Sequence, residues 1–137
     1  MCNHLVAMAS VERNLVLDVP AEEAWRAIID EAMLREWLAP DVELDPRPGG
    51  ALLCVMEDGE QRPGWVESVE EGERLAFGWR RDGLESRVEI SLEQVGEGTR
   101  VTVTETGLEA RSAPEASEGW RRRLESLRMA LADLAYA

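Results

Sequence analysis

An α+β fold, with six antiparallel strands wrapped on one long C-terminal helix and two short helices after the first strand, is what the sequence predicts. Three observations carry it. Between residues 52 and 106, five strand-like runs are separated by turn-forming pairs such as Asp58-Gly59, Glu71-Gly72 and Asp82-Gly83. Beyond residue 112, Trp120, Leu124, Leu127, Leu131 and Leu134 recur at steps of 4, 3, 4 and 3, which puts them on one helical stripe. Before the strands, Pro20, Asp30 and Pro40 punctuate a stretch with helical apolar spacing.

Residues 11–19 place Val11, Leu15, Leu17 and Val19 on one parity and Glu12, Asn14 and Asp18 on the other, the pattern of a strand with one buried face. Pro20 then opens a helix whose acidic Glu22 and Glu23 suit its N-terminal dipole, and whose apolar face is Ala24, Trp25, Ile28 and Ile29. Asp30 caps a second helix that runs to Leu38. Residues 41–50, rich in proline and glycine, are expected to be a loop.

Strands are expected at residues 52–57, 64–69, 75–80, 85–95 and 99–106, each antiparallel to the one before. Val88, Ile90 and Leu92 alternate with Glu89, Ser91 and Glu93, so one sheet face is wet and the other apolar. The long helix covers the apolar face, starting near Ser112 with Glu115 at capping-box spacing. The expected strand order is first, sixth, fifth, fourth, third, second. There is no internal repeat or interdomain linker, so residues 11–137 form a single domain behind a disordered leader at residues 1–10, with Met1 or Met8 as alternative starts.

Fifteen basic against 28 acidic residues give a net charge of −13, a balance that repels a phosphate backbone and argues against nucleic acid as partner. No run of about 18 apolar residues suggests a membrane span. Two cysteines, Cys2 and Cys54, make no disulfide framework, and a reducing cytoplasm fits best. The single histidine, His4, falls in the leader, so neither a metal cluster nor a Ser/Cys-His pair can be assembled, and no cofactor is expected.

The local motifs sharpen the fold. Val19-Pro20-Ala21-Glu22-Glu23-Ala24-Trp25, Glu36-Trp37-Leu38-Ala39-Pro40 and Asp45-Pro46-Arg47-Pro48-Gly49-Gly50 are followed by Gly64-Trp65-Val66-Glu67-Ser68-Val69, Arg74-Leu75-Ala76-Phe77-Gly78-Trp79 and Gly119-Trp120 with Leu124 and Leu127. Together they resemble the family of activators of the heat-shock-protein-90 ATPase, within the START-like (Bet-v-1-like, SRPBCC) superfamily of helix-grip proteins. The resemblance implies a hydrophobic cavity between sheet and helix, but no single activity: relatives include cochaperone domains, polyketide cyclases, lipid carriers and antibiotic-sequestering proteins.

Strand parity and the helical stripe supply the candidate ligand contacts of such a cavity: Leu52, Cys54, Met56, Phe77, Trp79, Ile90, Val103 and Glu105 from the sheet, and Leu124 and Leu127 from the helix. Solid packing is the alternative for all of them. Trp37, Trp79 and Trp120 stand at element ends, where a ring can line a cavity mouth and stack on a flat ligand. Trp65 falls on the opposite parity and points to the outer face, a dimer contact or a bulge. Arg121, Arg122 and Arg123 read as a solvated helix face paired with Glu118 and Glu125.

Glu105 is the one candidate for a chemical role, with Arg13 expected beside it if the first and last strands pair antiparallel; the alternative is an exposed pair past the covered part of the sheet, contributing little. The leading expectation is therefore noncatalytic binding of a hydrophobic or aromatic small molecule. A cyclase-like enzyme using Glu105 and a chaperone-binding module are the alternatives, the second disfavoured because the chain has no room for the further domain such activators carry. A homodimer is compatible with all three.

Overall fold

The computed structural model describes residues 7–135. In chain order the elements are β1 (Met8–Leu17), α1 (Ala21–Ile29), α2 (Glu31–Trp37), β2 (Asp41–Leu44), β3 (Ala51–Val55), β4 (Gln61–Glu70), β5 (Arg74–Arg81), β6 (Leu84–Val95) and β7 (Gly98–Glu109), then a 3-10 turn (Ala110–Ser112) and α3 (Ala113–Ala135). The strands make one antiparallel sheet in the order β1-β7-β6-β5-β4-β3-β2. The expected order is thus present with a seventh strand added at the far edge.

That strand, β2, occupies residues expected to be loop. Its four residues pair Val42 with Cys54 and Leu44 with Leu52, and Val42 is fully buried. Prolines 40, 46 and 48 flank it rather than interrupt it, which is where an edge strand tolerates them. Gly50 ends the loop that follows, where a Cβ would lie 2.2 Å from the Asp45 carbonyl oxygen. β1 also begins earlier than expected: Met8 and Ala9 pair with Glu109 and Leu108 across a bulge, so residues 8–10 are strand and not leader. His4 and Cys2 lie outside the described residues.

The helix ends follow local chemistry. Asp30 accepts hydrogen bonds from the backbone N–H of Ala32 (2.8 Å) and Met33 (3.4 Å), capping α2 as its position suggests. Ser112 instead closes the 3-10 turn, and Glu115 reaches out to Arg81 at 3.1 Å rather than back into a capping box. Glycines 59, 72, 83 and 96 sit at positive φ in the hairpin turns.

The inner face of the sheet buries Leu17, Leu52, Cys54, Val66, Leu75, Phe77, Trp79, Val88, Ile90, Val101 and Val103 against α1, α2 and α3. From α3 come Trp120, Leu124, Leu127 and Leu131, whereas the side chain of Leu134 lies outside the described residues. Each of the larger side chains contributes about 1.5–3 kcal/mol by leaving water. The outer face is a lattice of ion pairs, among them Arg87–Glu67 (2.6 Å), Arg74–Glu70 (2.6 Å) and Arg80–Glu85 (2.9 Å). These exposed pairs add little stability one by one, but they leave the arginines of that face facing carboxylates.

Trp65 lies on this outer face, half-buried, opposite Gly78 on β5. A Cβ at Gly78 would stand 2.4 Å from Cζ2 of the Trp65 ring, so the ring uses the space that only glycine leaves. Gly78→Val is therefore expected to lower stability by about 1–3 kcal/mol through overpacking. In the Trp65→Ala background the same substitution should cost clearly less in urea denaturation, and equal costs in both backgrounds would refute the close approach.

Candidate functional site

Inward parity on β5 places Trp79 in the core, and the helical stripe does the same for Trp120 on α3; both are 0% exposed. The two indoles stack at 5.8 Å between centroids and 23° between planes, with Phe77 edge-on to Trp79 at 5.4 Å. Two polar N–H groups are thereby carried into the interior and must find acceptors there.

Glu105 supplies both. Its Oε1 accepts from Trp120 Nε1 at 2.8 Å, and its Oε2 accepts from Trp79 Nε1 at 3.0 Å and from the Ser86 hydroxyl at 2.5 Å. The register explains the meeting, since Trp79 pairs with Ser86 across β5 and β6 while Val88 pairs with Glu105 across β6 and β7. With 3% exposure and three donors directed at it, this carboxylate ties sheet to helix.

Two guanidinium groups lie over the indole pair. Arg62 enters from β4 opposite Cys54, with Cζ 4.7 Å from the Trp79 centroid, and Arg123 follows Trp120 by one turn, with Cζ 4.7 Å from the Trp120 centroid. Arg62 donates from Nε to Glu60 at 3.0 Å, and Arg123 from Nε to the Leu38 carbonyl at 3.2 Å. Burial, and next the neighbouring Arg62 charge, push Arg123 down to about 10, while Glu105 pulls the other way through space. Burial likewise pushes the Cys54 thiol up to about 12, which leaves it a protonated, unreactive core residue.

Beside these arginines opens a cleft of about 920 Å³ between the end of α2, the β3–β4 hairpin, the β5–β6 hairpin and the first half of α3. Of the residues expected to contact a ligand, Trp37 and Met56 line it. Leu52, Cys54, Phe77, Trp79, Ile90, Val103, Trp120, Leu124 and Leu127 instead pack together in the core, with Glu105 bonded among them. The stacked tryptophans pack between sheet and helix, and the cleft lies beside the first half of α3 with a largely charged lining.

Two pairings differ from expectation. Arg13 is on the inner parity, but the register that runs unbroken from Leu17 opposite Thr99 sets Arg13 opposite Val103 and Val11 opposite Glu105, and the Arg13 guanidinium donates to Ser117 on α3 at 2.9 Å. Glu105 is held by indoles, not by Arg13. Arg123 is not on the solvated face with Arg121 and Arg122: three residues after Trp120 it borders the apolar stripe and folds into the cleft. Arg62 and Ser86 were outside the expected site altogether, although each shares the inward parity of its strand with Val66 or Val88. Among the described residues, no helix is long and apolar enough to cross a membrane and no group of three or more His, Cys, Asp or Glu is placed to hold a metal.

Comparison with known proteins follows the same architecture. The family model for activator of Hsp90 ATPase homolog 1-like protein matches residues 18–132. No curated protein matches by sequence. Protein MLL2253 from Mesorhizobium loti superimposes with a TM-score of 0.86 at 23% identity, over 91% of this chain and 98% of that one. CalU16 from Micromonospora echinospora gives 0.78 at 26% identity, over 89% and 75% of the two chains. The Aha1 dimer from Colwellia psychrerythraea gives 0.78 at 17% identity, over 90% and 96%.

Proposed function

The chain belongs to the family of activator of Hsp90 ATPase homolog 1-like proteins, and from that premise we propose that it binds a small molecule with a hydrophobic or aromatic body, without catalysing a reaction on it. The observation that carries this reading is the cleft of about 920 Å³, a volume within the range of small-molecule sites. Pro40 and Met56, backed by the largely buried Trp37, Leu38 and Ala39, give it an apolar strip against which a flat or aliphatic body can be buried. A noncatalytic role is supported by Glu105, whose two oxygens are already taken by protein donors and which lies behind the indoles. The free, buried thiol of Cys54 supports a reducing cytoplasm.

Titration of the 15N-labelled protein with neutral aromatic and aliphatic compounds tests the site. Amide shifts are expected to gather on residues 37–39, 56–60 and 119–126, and Met56→Glu, checked for a native melting transition, should weaken binding about tenfold. Shifts scattered over the outer face, or none with any compound, would overturn the reading.

Family membership favours one second reading, a protein-binding module of cochaperone type, and the likeness to the Aha1 dimer of Colwellia psychrerythraea favours a homodimer as a further state. An unchanged ATPase rate of purified heat-shock protein 90 in the presence of the chain would remove the first. Sedimentation at a single protomer mass would remove the second.

A further inference from the structure

We propose that Arg62 and Arg123 together grip a carboxylate, so that the ligand of the cleft is a monocarboxylic acid with an apolar body. The proposal rests on the cleft being the binding site and goes beyond it in naming the head group. Both arginines line the cleft, and each is fixed by a single hydrogen bond from Nε, to Glu60 and to the Leu38 carbonyl respectively. Their terminal nitrogens have no hydrogen-bond partner among the described residues.

Other arginines of the cleft differ: Arg81 pairs with Glu115 at 3.1 Å, Arg35 is shared by Glu31, Asp41 and the Val42 carbonyl, and Arg122 is exposed to water at the rim. The Arg62 side chain is only 8% exposed. A guanidinium largely removed from water loses hydration that a bidentate oxyanion restores in kind. Stacking on Trp79 and Trp120 holds the planes of the two forks in advance, which lowers the ordering needed when the ligand arrives.

Charge selects among oxyanions. Glu60 neutralises Arg62, whereas Arg123 has no carboxylate in hydrogen-bond contact among the described residues, since the oxygens of Glu105 are bonded to Trp79, Ser86 and Trp120. In the buried part of the cleft one positive charge is left for the ligand, with the exposed Arg122 at the rim. Glu36, Glu57, Asp58 and Asp82 surround the opening, in a chain of net charge −13, and they repel a dianion such as a phosphate monoester more than a carboxylate. The strip from Trp37 to Met56 then meets the uncharged remainder of the acid. Burial also lowers the pKa of Arg123, so a bound anion would raise it again.

The test compares, on the full chain by calorimetry, decanoate and 2-naphthoate with decanamide, 2-naphthamide and decyl phosphate. The acids are expected to bind at least about tenfold more tightly than their amides. Arg62→Gln and Arg123→Gln, each checked for a native melting transition, should erase that advantage while leaving amide affinity as it was; should either variant unfold, the wild-type comparison of acid with amide decides alone. Equal binding of acid and amide with shifts still in the cleft would overturn the carboxylate grip and leave the cleft reading standing. A preference for decyl phosphate would overturn the selection by charge. Failure of every probe to bind would overturn both.

Discussion

Replacing Trp120 with alanine is expected to destabilise the protein by about 3–5 kcal/mol, the range for deleting a large aromatic from a packed core. The ring is 0% exposed, stacks on Trp79 and lies under the Arg123 guanidinium, so its loss opens a cavity bounded by a cation and a carboxylate as well as by apolar groups. Trp120→Phe separates the contributions, because it keeps most of the ring and removes the N–H that reaches Glu105 at 2.8 Å. Its cost should be smaller, about 1–3 kcal/mol, and should fall mainly on the orphaned carboxylate oxygen. Urea denaturation followed by circular dichroism measures both. A Trp120→Ala protein within 1 kcal/mol of wild type, roughly the scale of a surface change, would show that the indole stack does not hold helix to sheet.

Glu105→Ala is expected to cost a similar amount, about 3–5 kcal/mol, for the opposite reason: it leaves donors without an acceptor. Trp120 Nε1 would have no partner, Trp79 Nε1 would keep Ser86 at 3.1 Å, and Arg123 would lose the carboxylate that attracts it through space. Glu105→Gln is the finer probe. An amide presents one acceptor and one donor, yet all three bonds to Glu105 are donated into it and the indoles can only donate. Whichever way the amide turns, its NH2 faces an indole N–H, so a loss of about 1–3 kcal/mol is expected despite the conserved shape. A Glu105→Gln protein as stable as wild type would contradict this network and would return Glu105 to the residues available for chemistry.

Alternation and turn chemistry made most of the sheet legible: the inner face at Leu75-Phe77-Trp79 and at Val101-Val103-Glu105, and the hairpins at Gly59, Gly72, Gly83 and Gly96, stand where the periodicity puts them. β2 was hidden because four residues between prolines show too few alternations to outweigh the breakers around them. Parity brought Glu105 inward but did not set Arg13 directly opposite it, since alternation fixes which face a residue takes and not which residue of the partner strand it meets. The cleft was least legible. Arg62 and Arg123 stand at inward or bordering positions, yet an arginine there reads as surface unless its guanidinium is known to lie over a buried indole. The stacking of Trp79 on Trp120 depends on where the end of α3's first turns meets β5, a distance that no local pattern encodes.

The union of β1 with β7, from Leu17 against Thr99 out to Met8 against Glu109, has a consequence for the time course of folding. β2 to β7 can zip by successive hairpins, each closing a short loop, whereas β1 has no partner strand until the chain has been made as far as β7. A nascent protein therefore carries its first strand without a partner, and α1 without β6 and β7, through most of synthesis, and α3, whose packing involves both β1 and α2, docks later still. High contact order of this kind slows folding and leaves the alternating apolar face of β1 open to other chains meanwhile. Its Glu12 and Arg13, set among Val11, Leu15 and Leu17, interrupt the apolar run of that early strand.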